Sequence, residues 1–197
     1  MVDNEIMKGE TTQQILDVAQ HLVRTKGYSG FSYADISEQV GIRKASIHYH
    51  FPCKEDLARE LVRRYRETIR LQLHQIEQSQ ADPQEQLVRF CRLYRNGLSQ
   101  DQLCLCGMMS ADLALLPETV QEEVNAFFTE TEAWLTRLLQ QGAETGSFRL
   151  RITPASEAAL LLATLQGTQL IARAATDSEA TFDRIIDALL TATCHPR

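Results

Sequence analysis

Apolar residues recur every three or four positions along nearly the whole chain, the spacing that gathers them on one face of an α-helix. Ile15, Ala19, Leu22 and Val23 mark a first helix. Thr11 with Gln14 three residues later predicts a capping box at its start, and Lys26-Gly27 closes it with a cation and a glycine. Ser32 with Asp35 is a second capping box, opening a short helix that carries Ile36 and Val40. Gly41 breaks the chain, and residues 43–50 read as a third helix with Ile47 on its buried side. Phe51-Pro52 ends it, because a residue before proline avoids the helical region. Leu57, Leu61, Tyr65, Ile69 and Leu73 then share one face of a long fourth helix, from Lys54 to about Ser79.

Asp82-Pro83-Gln84-Glu85 starts the next helix with an N-cap, a proline at the first turn and an acid. Leu87, Phe90, Cys91, Tyr94 and Leu98 follow at helical spacing. Residues 103–116 are apolar nearly all round, which predicts a buried helix. After Pro117, Val120, Val124, Phe127, Leu135, Leu138 and Leu139 predict a long helix ending near Gly146. Phe148, Leu150 and Ile152 alternate with arginines like a strand, but no other segment offers a partner, so an extended connector is expected. Thr153-Pro154 caps a helix to about Ala175, and Phe182, Ile185, Ile186, Leu189 and Leu190 mark the last. The pattern predicts an all-α chain of nine helices, with a three-helix head over 8–53 and a helical domain over 54–197, joined by the helix that starts at 54.

At 197 residues and 44% apolar content the chain can bury a core without disulfides. No uninterrupted apolar run reaches the about 18 residues of a membrane span. The acidic start MVDNEIMKGE lacks a secretory layout, and five cysteines without a C-x-x-C pair suit a reducing cytoplasm. The motifs of hydrolases, zinc proteases, phosphate loops and dinucleotide folds are missing, so neither an enzyme nor a cofactor is expected.

The net charge of −6 excludes a uniformly basic coat for nucleic acid, but the charge is unevenly placed. Residues 43–70 hold eight Lys or Arg against four acids, a net of +4, whereas residues 71–197 carry −7. A positive end on a negative body is the footprint of a DNA-binding head on a domain that does not bind DNA. The second and third helices about Gly41 form a helix-turn-helix, whose second helix enters the major groove. Its candidate DNA residues are Arg43, Lys44, Ser46, His48, Tyr49 and His50, cations, hydroxyls and imidazoles suited to phosphates and base edges. Ala45 allows close backbone approach, while Ser32, Tyr33 and Lys54 complete the surface. Lys44 and Lys54 are expected on phosphates. His48 and His50 with Cys53 could suggest zinc, but imidazoles two apart on a helix diverge, so no metal is expected.

Residues 12–57, TQQILDVAQHLVRTKGYSGFSYADISEQVGIRKASIHYHFPCKEDL, resemble the DNA-binding head of TetR-family transcriptional repressors. That pattern joins an ILDAA-like first helix, a KGY turn, D-I-A-x-x-x-G-V-S and K-x-x-x-Y-x-H-F-x-S-K-E-x-L. This chain departs from it at Arg43 and Cys53, where Ser is common, and at His48, where Tyr is common. The resemblance implies a cytoplasmic repressor binding double-stranded DNA at a palindromic operator and released by a small hydrophobic effector or a thiol-reactive signal. The competing reading is a helical interaction module or enzyme whose first helices only mimic a DNA head.

Aromatic walls with few polar groups suit such an effector, and the expected lining is Phe90, Tyr94, Met108, Met109, Leu113, Phe127, Phe128, Trp134 and Gln166. A two-fold homodimer is the geometric remedy for one small reading helix. Its expected interface is the last two helices, where small Ala155, Ala158, Ala159, Gly167, Ala172, Ala174 and Ala175 accompany Leu161, Leu165, Ile185, Ile186 and Leu189. The stretch CLCGMMSAD also resembles electrophile-sensing members of the family, which makes Cys104 the candidate thiol, with Cys106 beside it. Asp101 is expected to cap that helix and put Cys104 in its first turn, where the dipole lowers a thiol pKa. Cys53, at a helix N-cap beside Lys54 and inside the head, is the rival, and a disulfide to Cys104 would need Cys91 or a partner subunit.

Overall fold

Predicted periodicity becomes helix in the computed structural model, which describes residues 2–79 and 82–194, with side chains from Gly9 onward. Among these residues the helices are α1 (Val2–Lys26), α2 (Tyr33–Val40), α3 (Lys44–His50), α4 (Lys54–Gln78), α5 (Pro83–Leu98), α6 (Leu105–Ala111), α7 (Glu118–Glu144), α8 (Pro154–Arg173) and α9 (Ser178–Thr193). A single 3-10 turn, Leu113–Leu115, follows α6. The fold is all-α, and no helix among the described residues is long and apolar enough to cross a membrane. The chain forms two compact units, residues 1–66 with 105–125, and residues 67–104 with 126–197. The first is larger than the head expected at 8–53: it takes in the start of α4, all of α6 and the start of α7.

In the first unit, Ile15, Leu16, Ala19, Leu22 and Val23 of α1 are buried, as are Ile36, Ile47, Leu57 and Leu61. Each large aliphatic side chain so covered contributes about 1.5–3 kcal/mol of transfer free energy. Met109 and Leu105 of α6 and Val120 and Val124 of α7 belong to the same unit and are buried too. α1 does not open at Thr11: it is already helical from Val2, so Thr11 and Gln14 lie inside it rather than at a capping box. The box at α2 is present, with the Asp35 carboxylate accepting from the Ser32 N–H at 2.7 Å and the Ser32 Oγ accepting from the Ala34 N–H at 3.2 Å. The helix predicted at 103–116 is shorter than expected. It breaks at Asp112, whose carboxylate is taken up by the Ser29 N–H, and Leu113 and Leu115 are exposed beyond the break.

In the second unit α8 packs on α9, and both pack on α5. Buried Gln169 of α8 ties three segments together. Its Nε2 donates to the Tyr94 carbonyl at 2.8 Å, and its Oε1 accepts from the Cys104 N–H at 2.9 Å. On the surface, Arg95 of α5 makes a two-pronged contact with Asp183 of α9 and reaches Glu179. Phe148, expected in an unpaired connector, has a partner: it forms a single antiparallel β-bridge with Cys194, and the Arg149 N–H donates to the Thr193 carbonyl. A lone residue at the end of α9 carries no alternating pattern, so the sequence could not announce it. The Phe148 ring lies where a Cβ on Gly142 would sit, 2.1 Å from its nearest ring atom, so only glycine admits it.

The carboxylate of Asp35 is held below its ordinary value by its hydrogen bonds from Ser32. A depressed carboxylate stabilises the fold fully above the unfolded value of 3.8 and loses that contribution as pH falls through the folded value. Thermal melts should therefore show Asp35→Asn below the parent at pH 7, with the two converging in acid below that folded value.

Candidate nucleic-acid interface

The turn of the helix-turn-helix is fixed by Ser37. Its carbonyl accepts from the N–H groups of Gly41 at 3.0 Å and Ile42 at 3.2 Å, and its Oγ donates to the Ile42 carbonyl at 2.6 Å. Gly41 sits at φ +76°, the left-handed region that a side chain disfavours. This turn delivers α3 with Ile47 fully buried beneath it, so the rest of the short helix faces outward. Arg43, Lys44, Ala45, His48 and Tyr49 are exposed, and Ser46 and His50 are half-exposed. Tyr49 stands out most, at 69% exposure for a large aromatic. The structure thus brings the predicted α3 residues together on one surface.

Several of these side chains are already oriented. The Nδ1 of His48 lies 3.2 Å from the Pro52 carbonyl, which can only accept, so Nδ1 is the donor in this contact and Nε2 is left as the acceptor of the neutral ring. His48 also packs on the Tyr33 ring, centroids 4.8 Å apart. Tyr33 donates its hydroxyl to the Phe51 carbonyl at 2.9 Å, and burial, with smaller help from Cys53 and Asp56, pushes its pKa up. His50 Nδ1 pairs with Thr12 Oγ1 of α1 at 2.9 Å, a contact between positions 38 apart that leaves no trace in the apolar pattern. Ser32 is exposed while serving the α2 cap.

Lys54 occupies a different environment from the one expected. Its amino group donates to the Tyr28 carbonyl at 2.7 Å and the Phe31 carbonyl at 2.8 Å. It lies 4.4 Å and 4.2 Å from the centres of the same two residues' rings. Burial lowers its pKa, against the opposing pull of Asp112 and Asp35. Asp112 Oδ2 accepts from the Ser29 N–H of the same turn at 3.0 Å. The turn joining α1 to α2 is therefore held between a cation at the start of α4 and a carboxylate at the end of α6. Glu55 accepts from Thr119, and Glu123 pairs with Arg63 at 2.6 Å and with Arg66, fastening α4 to α7 within the same unit. Asp112 was not singled out by sequence, because one acid after an apolar run has no pattern.

Of the expected effector residues, Phe90, Tyr94, Phe127, Phe128, Trp134 and Gln166 belong to the second unit, and Met108, Met109 and Leu113 to the first. Cys104 and Cys106 are buried. Cys104 precedes α6 instead of lying in its first turn, and Asp101, at φ 54°, does not cap that helix. Burial, aided by the nearby Cys194, pushes the Cys91 thiol up to about 12, an unreactive partner for a disulfide. Cys53 is exposed, and its thiol donates to Asp56 at 3.0 Å.

Two family profiles match the chain, "Bacterial regulatory proteins, tetR family" over residues 15–61 and "Tetracyclin repressor-like, C-terminal domain" over residues 83–189. A crystal structure of a TetR-family transcriptional regulator from Agrobacterium tumefaciens is 37% identical, with a TM-score of 0.91 over 95% of this chain and 100% of that one. The transcriptional repressor DhaR of Mycobacterium sp. (strain GP1) is 27% identical over 76% of this chain and 79% of its own. The transcriptional regulator LmrA of Bacillus subtilis (strain 168) is 28% identical over 75% and 79%.

If Lys54 serves the turn, removing its amino group leaves two carbonyls short of a donor. Lys54→Met should cost about 1–3 kcal/mol in urea unfolding. Its DNA affinity should fall with the dependence on salt unchanged; a slope smaller by about one unit would instead mark a phosphate contact.

Proposed function

The chain belongs to the TetR family of DNA-binding transcriptional regulators, and on that premise we propose that it is a repressor released from a palindromic operator by a small hydrophobic effector. Regulators of this family are not enzymes. The observation that carries the DNA reading is α3 itself, a seven-residue helix seated by one buried isoleucine with cations, imidazoles and an exposed tyrosine on its open side. Lys44 and Arg43 at its start suit phosphates. Ser46, Tyr49 and the exposed imidazole of His48 suit base edges, and His50, braced by Thr12, suits a phosphate. A named repressor among the relatives supports the sign of regulation.

A homodimer through α8 and α9 suits a palindrome. Leu161, Leu165, Ala158, Ala172 and Ile186, expected at that interface, are buried inside the second unit. The exposed stripe of α8 is made of other residues: Ala159, Leu160, Ala163, Leu170, Ile171 and Ala174, with half-exposed Gly167. These recur at helical spacing and carry no charge, which suits close packing against a second copy. The burial of Cys104 and Cys106 favours a non-covalent effector over a thiol-reactive one. A thiol route requires α6 or its entry to open first, and Cys104→Ser would then abolish DNA release by N-ethylmaleimide.

Gel shifts with the DNA preceding its own gene test the head. Lys44→Ala should weaken all sequences alike and reduce the salt slope by about one unit, while His48→Ala should change which operators bind. Unchanged binding in both variants would sink the assignment of α3. The dimer is checked by sedimentation, where Leu170→Glu with Ile171→Glu should convert a dimer at micromolar concentration into a folded monomer. A doubly charged variant that stays dimeric places the interface elsewhere.

A further inference from the structure

Trp134 of α7 is 4% exposed, and its indole nitrogen has no hydrogen-bond acceptor. Among the described residues it is the one fully buried side-chain nitrogen or oxygen left in that condition. Indole carries one donor and accepts nothing, and a buried donor without a partner costs about 1–3 kcal/mol. A position that needed only bulk would be filled by phenylalanine at no such cost. The ring belongs to a continuous row in the second unit. Its centre lies 5.3 Å from that of Phe90, which lies 5.5 Å from Tyr94, whose hydroxyl accepts from Gln166 Nε2 at 3.3 Å.

The polar composition of this unit's core bears on what can satisfy the indole. The buried polar side chains of this unit are Gln86, Thr131, Thr168, Gln169 and Thr193, with no charged group among them. Thr131 donates to the Phe127 carbonyl, and both ends of Gln169 are engaged. Burying an ionised ligand against a core whose buried polar groups are all neutral is costly, which favours a neutral one. We propose that Trp134 is the polar anchor of the effector site, donating its Nε1–H to the oxygen of a neutral carbonyl compound whose apolar body lies along Phe90 and Tyr94. This rests on the effector reading given above and adds the chemical class of the ligand.

The chain has one tryptophan, so full-length protein labelled with 15N-tryptophan gives one indole resonance. Acetophenone and cumene are near-isosteric probes that differ in the carbonyl oxygen. Acetophenone should move the indole proton downfield and bind about ten-fold more tightly than cumene, the worth of one hydrogen bond to a buried donor. Trp134→Phe should erase that preference, so that acetophenone and cumene bind it equally to within about two-fold. Equal binding of both probes by the parent, an unmoved indole proton, or a preference that survives in Trp134→Phe overturns the anchor while the apolar effector site stands. Binding of neither probe at millimolar concentration overturns both. The indole shift is read on the parent protein, so the outcome does not depend on how the variant folds.

Discussion

The α1–α2 turn has to be held still, because α3 is too short to hold itself. A seven-residue helix with one buried side chain has little intrinsic stability and takes its position from what surrounds it. The chain meets that need with a half-buried ammonium. Lys54 spans two carbonyls and two aromatic faces, and Asp112 takes the Ser29 N–H between them. Burial of a cation is tolerated only where its donors are met, and here carbonyl oxygens and ring faces meet them together. The head is thereby a single unit with the start of α4, with α6 and with the start of α7.

The boundary between the two units falls at the entry to α6. Cys104 is the last residue of its stretch in the second unit and Leu105 the first of α6 in the other. Its N–H is held by Gln169, on the helix whose opposite face carries Leu170 and Ile171.

Much of this was legible beforehand because its signals are local. Ser32 with Asp35, Gly41, Pro83 and Thr153-Pro154 act within a turn of themselves, and the structure keeps every one of these caps and breaks. The buried spacing of Leu57 and Leu61 likewise needs no knowledge of a partner. What stayed hidden is long-range pairing. Asp112 to Ser29, Thr12 to His50 and Phe148 to Cys194 join positions far apart, and none leaves a periodic trace. For the same reason the sequence does not show that Lys54 donates to the carbonyls of Tyr28 and Phe31. On α8, composition showed a small and apolar helix, but only the fold reveals that Leu161 faces inward and Leu160 outward.

The central claim is that two copies of α3, each seated in this way, read DNA as a symmetric pair. Selection from a random-sequence DNA pool by the purified protein, followed by hydroxyl-radical footprinting, tests it most directly. The account predicts enrichment of an inverted repeat, with protected half-sites about one helical turn, 34–36 Å, or a multiple of that apart. Recovery of no common sequence, or of a single unrepeated element protected on its own, would contradict it.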